Sequence, residues 1–368
     1  MLAPEPKTPL LLAIKDSIEN IILANRQATN AFSLTDELRH DILSTLVTYS
    51  DRIPHPASGA SNTNTNSRPS NTLIRWQILA YVAGIDLTIA KWFESHLDAL
   101  SILREIGYDQ TPEGLWAVWA AEGHPDPIRY EQGKVSGSKA WCSGANSVDY
   151  GLLTYRDEQG QSCLLIINMH QQGISMDNSA WQAVGMQATD TATIQFNEVT
   201  AHNVGTADAY LDRVGFWHGA AGVAACWYGA SAVIASYLIT AYQQKPNDYK
   251  AMYLGQVSTA LAVTQHYFYH IAELLDTQPQ SSHELAIRQL RAHVEQLARQ
   301  VIEVTGQALG AAPFCNNAHF ARLAADLPVF IRQSHGAFDW QQIGKLASAS
   351  THSLCKNDLI KQASLWQL

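Results

Sequence analysis

The sequence predicts an α+β protein of three domains: a helical N-terminal domain, a central antiparallel β domain and a C-terminal four-helix bundle. Two patterns predict this order. Apolar residues recur at steps of three and four near both ends of the chain, which is the spacing of one helix face. The middle holds short apolar runs bounded by Gly, Asn and Asp, which is typical of strands. The expected domains are residues 1–112, 113–212 and 213–368.

The composition indicates a large buried interior. Of the 368 residues, 46% are hydrophobic and 15% are charged, whereas about 25% are charged in an average soluble domain. The 33 acidic and 24 basic residues give a net charge of −9, and no block of Lys and Arg occurs. No nucleic-acid partner is therefore expected.

The N-terminal domain is predicted to be helical because isoleucines and leucines share one face of each periodic stretch. These residues are Ile14, Ile18, Ile21 and Ile22, and then Leu79, Val82 and Ile85. Residues 54–71 interrupt the pattern with Ser, Asn, Thr and Pro, so this segment is expected to be a mobile surface loop.

The middle domain is predicted from four apolar runs, which span residues 115–122, 151–157, 163–169 and 191–199. A turn at 156–161 joins the second and third runs as a hairpin. Short strands linked in this way favour an antiparallel sheet.

The C-terminal bundle is predicted from three long Ala- and Leu-rich segments and a shorter one, at 216–243, 250–276, 281–309 and 319–335. Residues 214–244 contain no Asp, Glu, Lys or Arg. Their Gly, Ala and Ser residues favour a tightly packed core helix, and no membrane span is predicted.

Five dispersed cysteines lack metal-ligand or C-x-x-C spacing, so they are interpreted as reduced thiols of a cytoplasmic protein. The apolar run at 9–14 is too short for an export signal. Motifs for dinucleotide, phosphate-loop, zinc-protease and serine-hydrolase sites are missing from the sequence. No metal site is predicted.

Two segments, 133–155 and 181–205, carry the most specific pattern. The first supplies Gly137, Lys139, Trp141 and Ser143, and the second supplies Gly185, Met186, Thr189, Thr191, Phe196 and Val199. With the order of helices, strands and helices, these residues resemble the acyl-CoA dehydrogenase superfamily. In that family a G-x-K-x-W-[IV]-[TS] strand enters the flavin site from the β domain.

The resemblance implies a flavin, FAD, between the β domain and the bundle. An isoalloxazine ring is a wide apolar plane with one polar edge, so its site needs an aromatic wall and a few polar groups. Trp141 is expected to be the wall and Ser143 the hydroxyl near the reactive nitrogen. The alternative is an ordinary core aromatic and a strand-end hydroxyl.

The resemblance also assigns cofactor contacts to positions where this sequence departs from the family pattern. Ala121 and Glu122 stand where dehydrogenating members have a threonine and a glutamate. Lys250 lies near the position of an arginine that reaches the flavin pyrophosphate of the neighbouring subunit. Gly310 lies in a stretch similar to the glycine-rich turn near the partner's adenosine, although a helix cap explains this glycine nearly as well.

The expected catalytic positions are Ser334 and His335, which occupy the place of the family's proton-abstracting glutamate. No acid sits within that turn. A histidine there resembles the flavin monooxygenase branch, in which the ring assists at the flavin or a phenol-like substrate. The alternative is a histidine at a helix C-terminus beside Gly336. On the same helix, Arg322 and Asp326 are expected to form a surface ion pair.

Three functions follow. The first is FAD-dependent α,β-dehydrogenation of an acyl thioester or related small molecule, with an unidentified electron acceptor. The second is a reduced-flavin monooxygenase of the same superfamily, and the third a non-catalytic binding or assembly partner. The uncharged bundle helices favour a homodimer or homotetramer.

Overall fold

The computed structural model describes residues 8–29, 34–59 and 70–351. Most of the predicted mobile loop at 54–71 therefore lies outside the described residues. Four helices precede the first strand in the described part: α1 (Pro9–Thr29), α2 (Asp36–Val47), α3 (Asn71–Ile85) and α4 (Leu87–Glu105).

Side-chain caps fix the start of three of these helices. Thr35, Ser70 and Asp86 each stand one residue before a helix and accept hydrogen bonds from its first-turn amides. These amides have no partner within the helix, so a capping oxygen stabilises the start. Asp86 also accepts a hydrogen bond from the buried Arg39 at 3.1 Å, which ties the start of α4 to α2.

Eight strands follow, and they form two four-stranded sheets. The strands are β1 (Trp116–Trp119), β2 (Arg129–Glu131), β3 (Lys134–Cys142), β4 (Tyr150–Arg156), β5 (Ser162–Asn168), β6 (Ile174–Asp177), β7 (Ala192–Thr200) and β8 (His202–Val204). The sheet orders are β1-β4-β5-β8 and β2-β3-β7-β6. Apolar side chains from both sheets form one core.

The sheets are antiparallel, as predicted, except where β1 pairs with β4 in parallel. The two intervening strands belong to the other sheet. The chain therefore returns to β4 by a crossover connection, which parallel pairing requires.

Seven helices complete the described chain: α5 (Ala209–Asp212), α6 (Gly215–Gln244), α7 (Asp248–Thr277), α8 (Glu284–Leu309), α9 (Ala312–Asn316), α10 (Ala318–Phe330) and α11 (Ala337–Thr351). The four predicted bundle segments correspond to α6, α7, α8 and α10. The last of them ends five residues earlier than predicted, because Pro328 removes a backbone donor and residues 331–333 tighten into a 3-10 turn.

The helices before and after the strands share one hydrophobic core. Helix α6 runs through it, and Gly229 lets α6 approach α3 so closely that a side chain there would collide with the carbonyl of Ala80. Among the described residues, α6 alone is long and apolar enough to cross a membrane, and 61% of its most apolar stretch is buried. These contacts are those of a core helix.

Candidate functional site

A cavity of about 250 Å³ opens beside Trp141. Its walls come from the loop at 122–125 after β1, the end of β3, residues near Trp181 and the start of β7. Trp141 is 65% exposed, and its ring meets the edge of the Trp181 ring with centroids 6.2 Å apart. A large aromatic face is therefore presented to solvent at the cavity.

The backbone explains the exposure of Trp141. The pairing of β3 with β7 shifts register between Lys139 and Cys142, and Trp141 within this bulge has a left-handed φ of 63°. A bulge bends the strand and re-aims a side chain. A non-glycine residue with such a φ is strained by about 1–2 kcal/mol, and strain of this kind clusters at functional sites.

Ser143 begins a row of hydrogen-bonded hydroxyls behind the cavity. Its Oγ lies 3.0 Å from Oγ1 of Thr191, which in turn lies 2.9 Å from Oγ1 of Thr189. Thr189 donates to the Met186 carbonyl at 2.6 Å. Thr191 lines the cavity. We call Ser143, Thr191 and Thr189 the hydroxyl chain.

Glu122 lines the cavity, and hydrogen bonds from Thr154 and Lys139 fix its carboxylate. Thr154 donates to Glu122 Oε1 at 2.6 Å, and the buried Lys139 donates to the same oxygen at 3.2 Å and to the Thr154 carbonyl at 2.5 Å. Burial lowers the pKa of Lys139, and the nearby Glu122 carboxylate opposes this shift. Ala121 is exposed just before Glu122.

Ser334 and His335 lie together at the turn between α10 and α11, and neither lines the cavity at Trp141. Ser334 is buried, whereas His335 is exposed with its ring near Phe338, at a centroid distance of 6.5 Å. The nearest acid is one that the sequence analysis missed. Asp339 accepts a hydrogen bond from the His335 amide at 2.9 Å, and its position in the first turn of α11 was the available signal.

Asp339 is not a free carboxylate. Its Oδ1 accepts from Arg288 Nη1 at 2.5 Å, and Arg288 also donates to Glu284 at 2.8 Å. The Arg288 guanidinium lies 4.1 Å from the centre of the Trp217 ring. Asp339 is therefore held in an ion pair on an aromatic surface.

Asp326 on α10 contacts the segment before β7 that contains Thr189 and Thr191 of the hydroxyl chain. The predicted surface ion pair is wrong, because Asp326 is fully buried and accepts from the Met186 amide at 2.6 Å. Gly185 permits this approach, since a side chain there would collide with the Ala325 carbonyl. Burial raises the pKa of Asp326 to about 6. Its Oδ2 is buried without a hydrogen-bond partner in the described residues.

A second set of charged residues, buried or half-buried, was also missed. Glu94 on α4 is 6% exposed, and burial raises its pKa to about 7. Asp98, one turn further on, Arg75 on α3 and Arg291 on α8 lie near enough to act on its charge. The i, i+4 spacing of the two acids was the signal in the sequence, but only the fold brings the arginines to them.

Lys250 and Gly310 lie at helix ends away from the cavity. The Lys250 ammonium donates to the carbonyls of Ala241 and Lys245 at 3.0 and 3.1 Å, so it caps the end of α6. Gly310 has a φ of 69° and ends α8 with a hydrogen bond to the Gly306 carbonyl at 2.8 Å. These contacts are those of helix termini.

No family model matches the sequence, and comparison with curated proteins finds no significant match. Solved structures do match. The FMN-bound dibenzothiophene monooxygenase from Paenibacillus has a TM-score of 0.71 at 14% identity, over 92% of this chain and 96% of that chain. Nitrososynthase from Micromonospora carbonacea has a TM-score of 0.71 at 14% identity, over 95% and 98% of the chains.

Butyryl-CoA dehydrogenase from Megasphaera elsdenii has a TM-score of 0.72 at 13% identity, over 92% of this chain and 98% of that chain. The chain therefore has the acyl-CoA dehydrogenase fold, as the sequence predicted. Because identities are this low, the likeness establishes the fold and leaves the activity to be argued from the site.

Proposed function

We propose that this chain is a flavin-dependent oxidoreductase that binds its flavin against Trp141. The observation that carries the proposal is the exposed face of Trp141, held in a strained bulge beside a cavity with a hydroxyl row behind it. Backbone strain of this kind clusters at active sites and at residues that clamp a ligand. A flat, apolar ring with one polar edge fits this combination.

The residues present divide the work of holding such a ring. Trp141 offers its face, and Trp181 buttresses Trp141 through the edge contact. Thr191 offers a hydroxyl oxygen to the polar edge, and Ser143 supports Thr191 from behind the cavity wall. Lys139 and Thr154 fix Glu122 in the wall of the same cavity. A bound flavin would supply the electron transfer and oxygen chemistry that side chains lack.

Among reaction classes, we favour a reduced-flavin monooxygenase acting on a small molecule. Dehydrogenation beside a thioester needs a carboxylate that is free to take a proton. At the Ser334 and His335 turn, the nearest acid is Asp339, which is paired with Arg288. His335 is exposed there, outside the wall of the cavity at Trp141, and its ring can hydrogen-bond a substrate. Two of the matched structures are a monooxygenase and a nitrososynthase.

Acyl thioester dehydrogenation is the second candidate, because the matched butyryl-CoA dehydrogenase has the same fold. The base proposed for it is Glu94, a buried carboxyl whose pKa burial raises to about 7, as a general base requires. Glu94 does not line the cavity at Trp141, so the Glu94→Gln variant decides whether it takes the proton. An electron acceptor would reoxidise the flavin.

We propose FMN as the form of the flavin. The resemblance assigns Lys250 and Gly310 to the pyrophosphate and adenosine part of FAD, but in the structure Lys250 caps α6 and Gly310 ends α8. A homodimer or homotetramer is proposed as the assembly.

The first experiment is a titration of the purified protein with FMN and with FAD, followed by gel filtration and a visible spectrum. We expect bound flavin in the wild type and at least about tenfold weaker binding in Trp141→Ala, the scale of one lost aromatic contact. Trp340→Ala, which removes an exposed tryptophan on α11, is the matched control. Protein that stays colourless with both flavins would favour the non-catalytic reading.

The reaction class is then tested with flavin-loaded protein. Bleaching of the flavin by acyl-CoA or acyl-carrier-protein thioesters without oxygen, lost in Glu94→Gln, would establish dehydrogenation. Oxygen-dependent product from reduced flavin, decreased in His335→Ala and retained in Glu94→Gln, would establish the monooxygenase.

A further inference from the structure

The hydroxyl chain has a fixed direction, which follows from counting hydrogens. Each hydroxyl carries one hydrogen. Thr189 gives its hydrogen to the Met186 carbonyl at 2.6 Å, so the 2.9 Å contact between Thr189 and Thr191 requires Thr191 to donate. The 3.0 Å contact between Thr191 and Ser143 then requires Ser143 to donate.

All three hydrogens therefore point along the chain toward the Met186 carbonyl. The oxygen of Thr191, the one member of the chain in the cavity wall, keeps only a lone pair for a ligand. A ligand edge that meets it forms a hydrogen bond when it carries an N–H or O–H group. An edge with a bare acceptor meets lone pairs with lone pairs, which costs free energy in a desolvated site.

The anchor of this chain is rigid. Met186 is fixed by the hydrogen bond from its amide to the buried Asp326. The Thr189 carbonyl accepts from Trp92 Nε1 at 3.0 Å and from the Gly144 amide at 2.8 Å. Because the backbone on both sides of Thr189 is held, the direction of the chain is set before any ligand arrives.

We propose that the hydroxyl chain makes this site select reduced over oxidised flavin, with Thr189 as a positioning residue that no ligand touches. The reactive nitrogen of the central flavin ring carries a hydrogen in the reduced form and only a lone pair in the oxidised form. An edge of acceptors therefore matches the reduced form. The inference rests on the proposed function, since it concerns the flavin assigned to Trp141.

The test is anaerobic calorimetric titration of the full chain with oxidised FMN and with dithionite-reduced FMN. We expect the reduced form to bind at least about tenfold more tightly. For a two-electron couple this ratio raises the midpoint potential of the bound flavin by about 30 mV above that of free FMN, which a redox titration measures independently.

Thr189→Val isolates the positioning role. Thr189 is 1% exposed and is not part of the cavity wall, so the substitution leaves the lining unchanged. Without its acceptor, Thr191 can turn its hydrogen elsewhere, and the affinity ratio should fall toward one. Thr189→Ser keeps the hydroxyl and should restore the ratio. Thr305→Val removes an equally buried hydroxyl on α8, outside the cavity wall, and should leave it unchanged.

The outcomes separate the two proposals. Equal affinities in the wild type, or a ratio that Thr189→Val leaves unchanged, would overturn the inference while flavin binding stands. Failure of both redox forms to bind would overturn the proposed function and the inference together. A ratio that falls in Thr189→Val, returns in Thr189→Ser and persists in Thr305→Val would support it.

Discussion

The backbone of Trp141 is strained and its exposed ring makes few packing contacts. Substitution of Trp141 should therefore weaken flavin binding without lowering the free energy of unfolding. Glycine adopts positive φ freely, and the 65% exposed ring loses few contacts. We expect Trp141→Gly to leave the free energy of unfolding unchanged or to raise it by about 1 kcal/mol, because the relief of strain is partly offset by the greater chain entropy of unfolded glycine. Flavin affinity should fall at least about tenfold.

Urea unfolding without flavin and calorimetric titration with FMN measure the two effects of Trp141→Gly. A loss of stability above about 2 kcal/mol would instead show that the ring belongs to the core, because losses of this size accompany removal of a buried aromatic.

Asp326 makes stability depend on pH in an unusual direction. Burial raises its pKa from 3.8 to about 6, so between these values the folded state binds more protons than the unfolded state. Stability from this group is therefore present below pH 4 and is lost as the pH rises through 6. The change is about 3 kcal/mol at 1.4 kcal/mol per pKa unit.

Asp326→Asn tests this dependence, because the amide oxygen can still accept from Met186. We expect the stability of the wild type relative to the variant to fall between pH 4 and pH 7 in urea unfolding. Asp212→Asn, at an exposed position on α5, is the control. A difference between wild type and Asp326→Asn that is constant with pH would contradict the raised pKa.

At the scale of elements, His96 joins α4 to the sheet. Its Nδ1 accepts from the Trp116 amide at 3.1 Å, so Nε2 carries the hydrogen and donates to Ser50 Oγ at 2.9 Å. Burial, reinforced by Arg75, lowers the pKa of His96 from 6.5 to about 4. The unfolded state binds the proton first, so stability from this group is lost as the pH falls from 6.5 toward 4.

His96→Asn should flatten this loss and cost about 1–3 kcal/mol at pH 7.5, the range for a buried amide left without a good acceptor. Unfolding curves at pH 5 and pH 7.5 provide the comparison, and His270→Gln, at an exposed position on α7, should match the wild type at both. If His96→Asn keeps the full pH slope, another group is responsible.

The sequence predicted the four segments of the bundle and the strands β1, β4, β5 and β7, because their apolar periods are local. It gave no signal for the short strands β2, β6 and β8 or for α11. The assignment of Trp141 and Ser143 to a flavin site, made from their spacing in one motif, stays a prediction. The sequence could not predict the direction of the hydroxyl chain, because Ser143 and Thr191 are 48 positions apart and only the fold brings them together. The same holds for the burial of Asp326 against Met186, 140 positions away. Parallel pairing of β1 with β4 likewise depends on a crossover that no local pattern encodes.

At the scale of the molecule, α7 presents a face suited to a second subunit. From 251 to 272 it contains no Asp, Glu, Lys or Arg, and Met252 and Val263 are 49% and 58% exposed. We expect a dimer or tetramer in light scattering, and Val263→Lys should convert it to monomer, because an unpaired charge in a buried interface is costly.

Gln161→Lys adds the same charge at the exposed hairpin turn between β4 and β5 and should leave the mass unchanged. A wild type that is monomeric at micromolar concentration, or a Val263→Lys variant that stays oligomeric, would exclude this face of α7 as the interface.

The shared core of the early and late helices has a consequence for synthesis on the ribosome. Helix α3 ends at residue 85 and α6, which covers it, begins at 215, so the 129 residues from 86 to 214 must be made in between. At about 5–20 residues per second, the apolar face of α3 stays without α6 for roughly 6 to 26 seconds. The two sheets can fold during that interval, whereas the first helices cannot complete their core until α6 has been made. We therefore expect chaperones to bind the nascent N-terminal half.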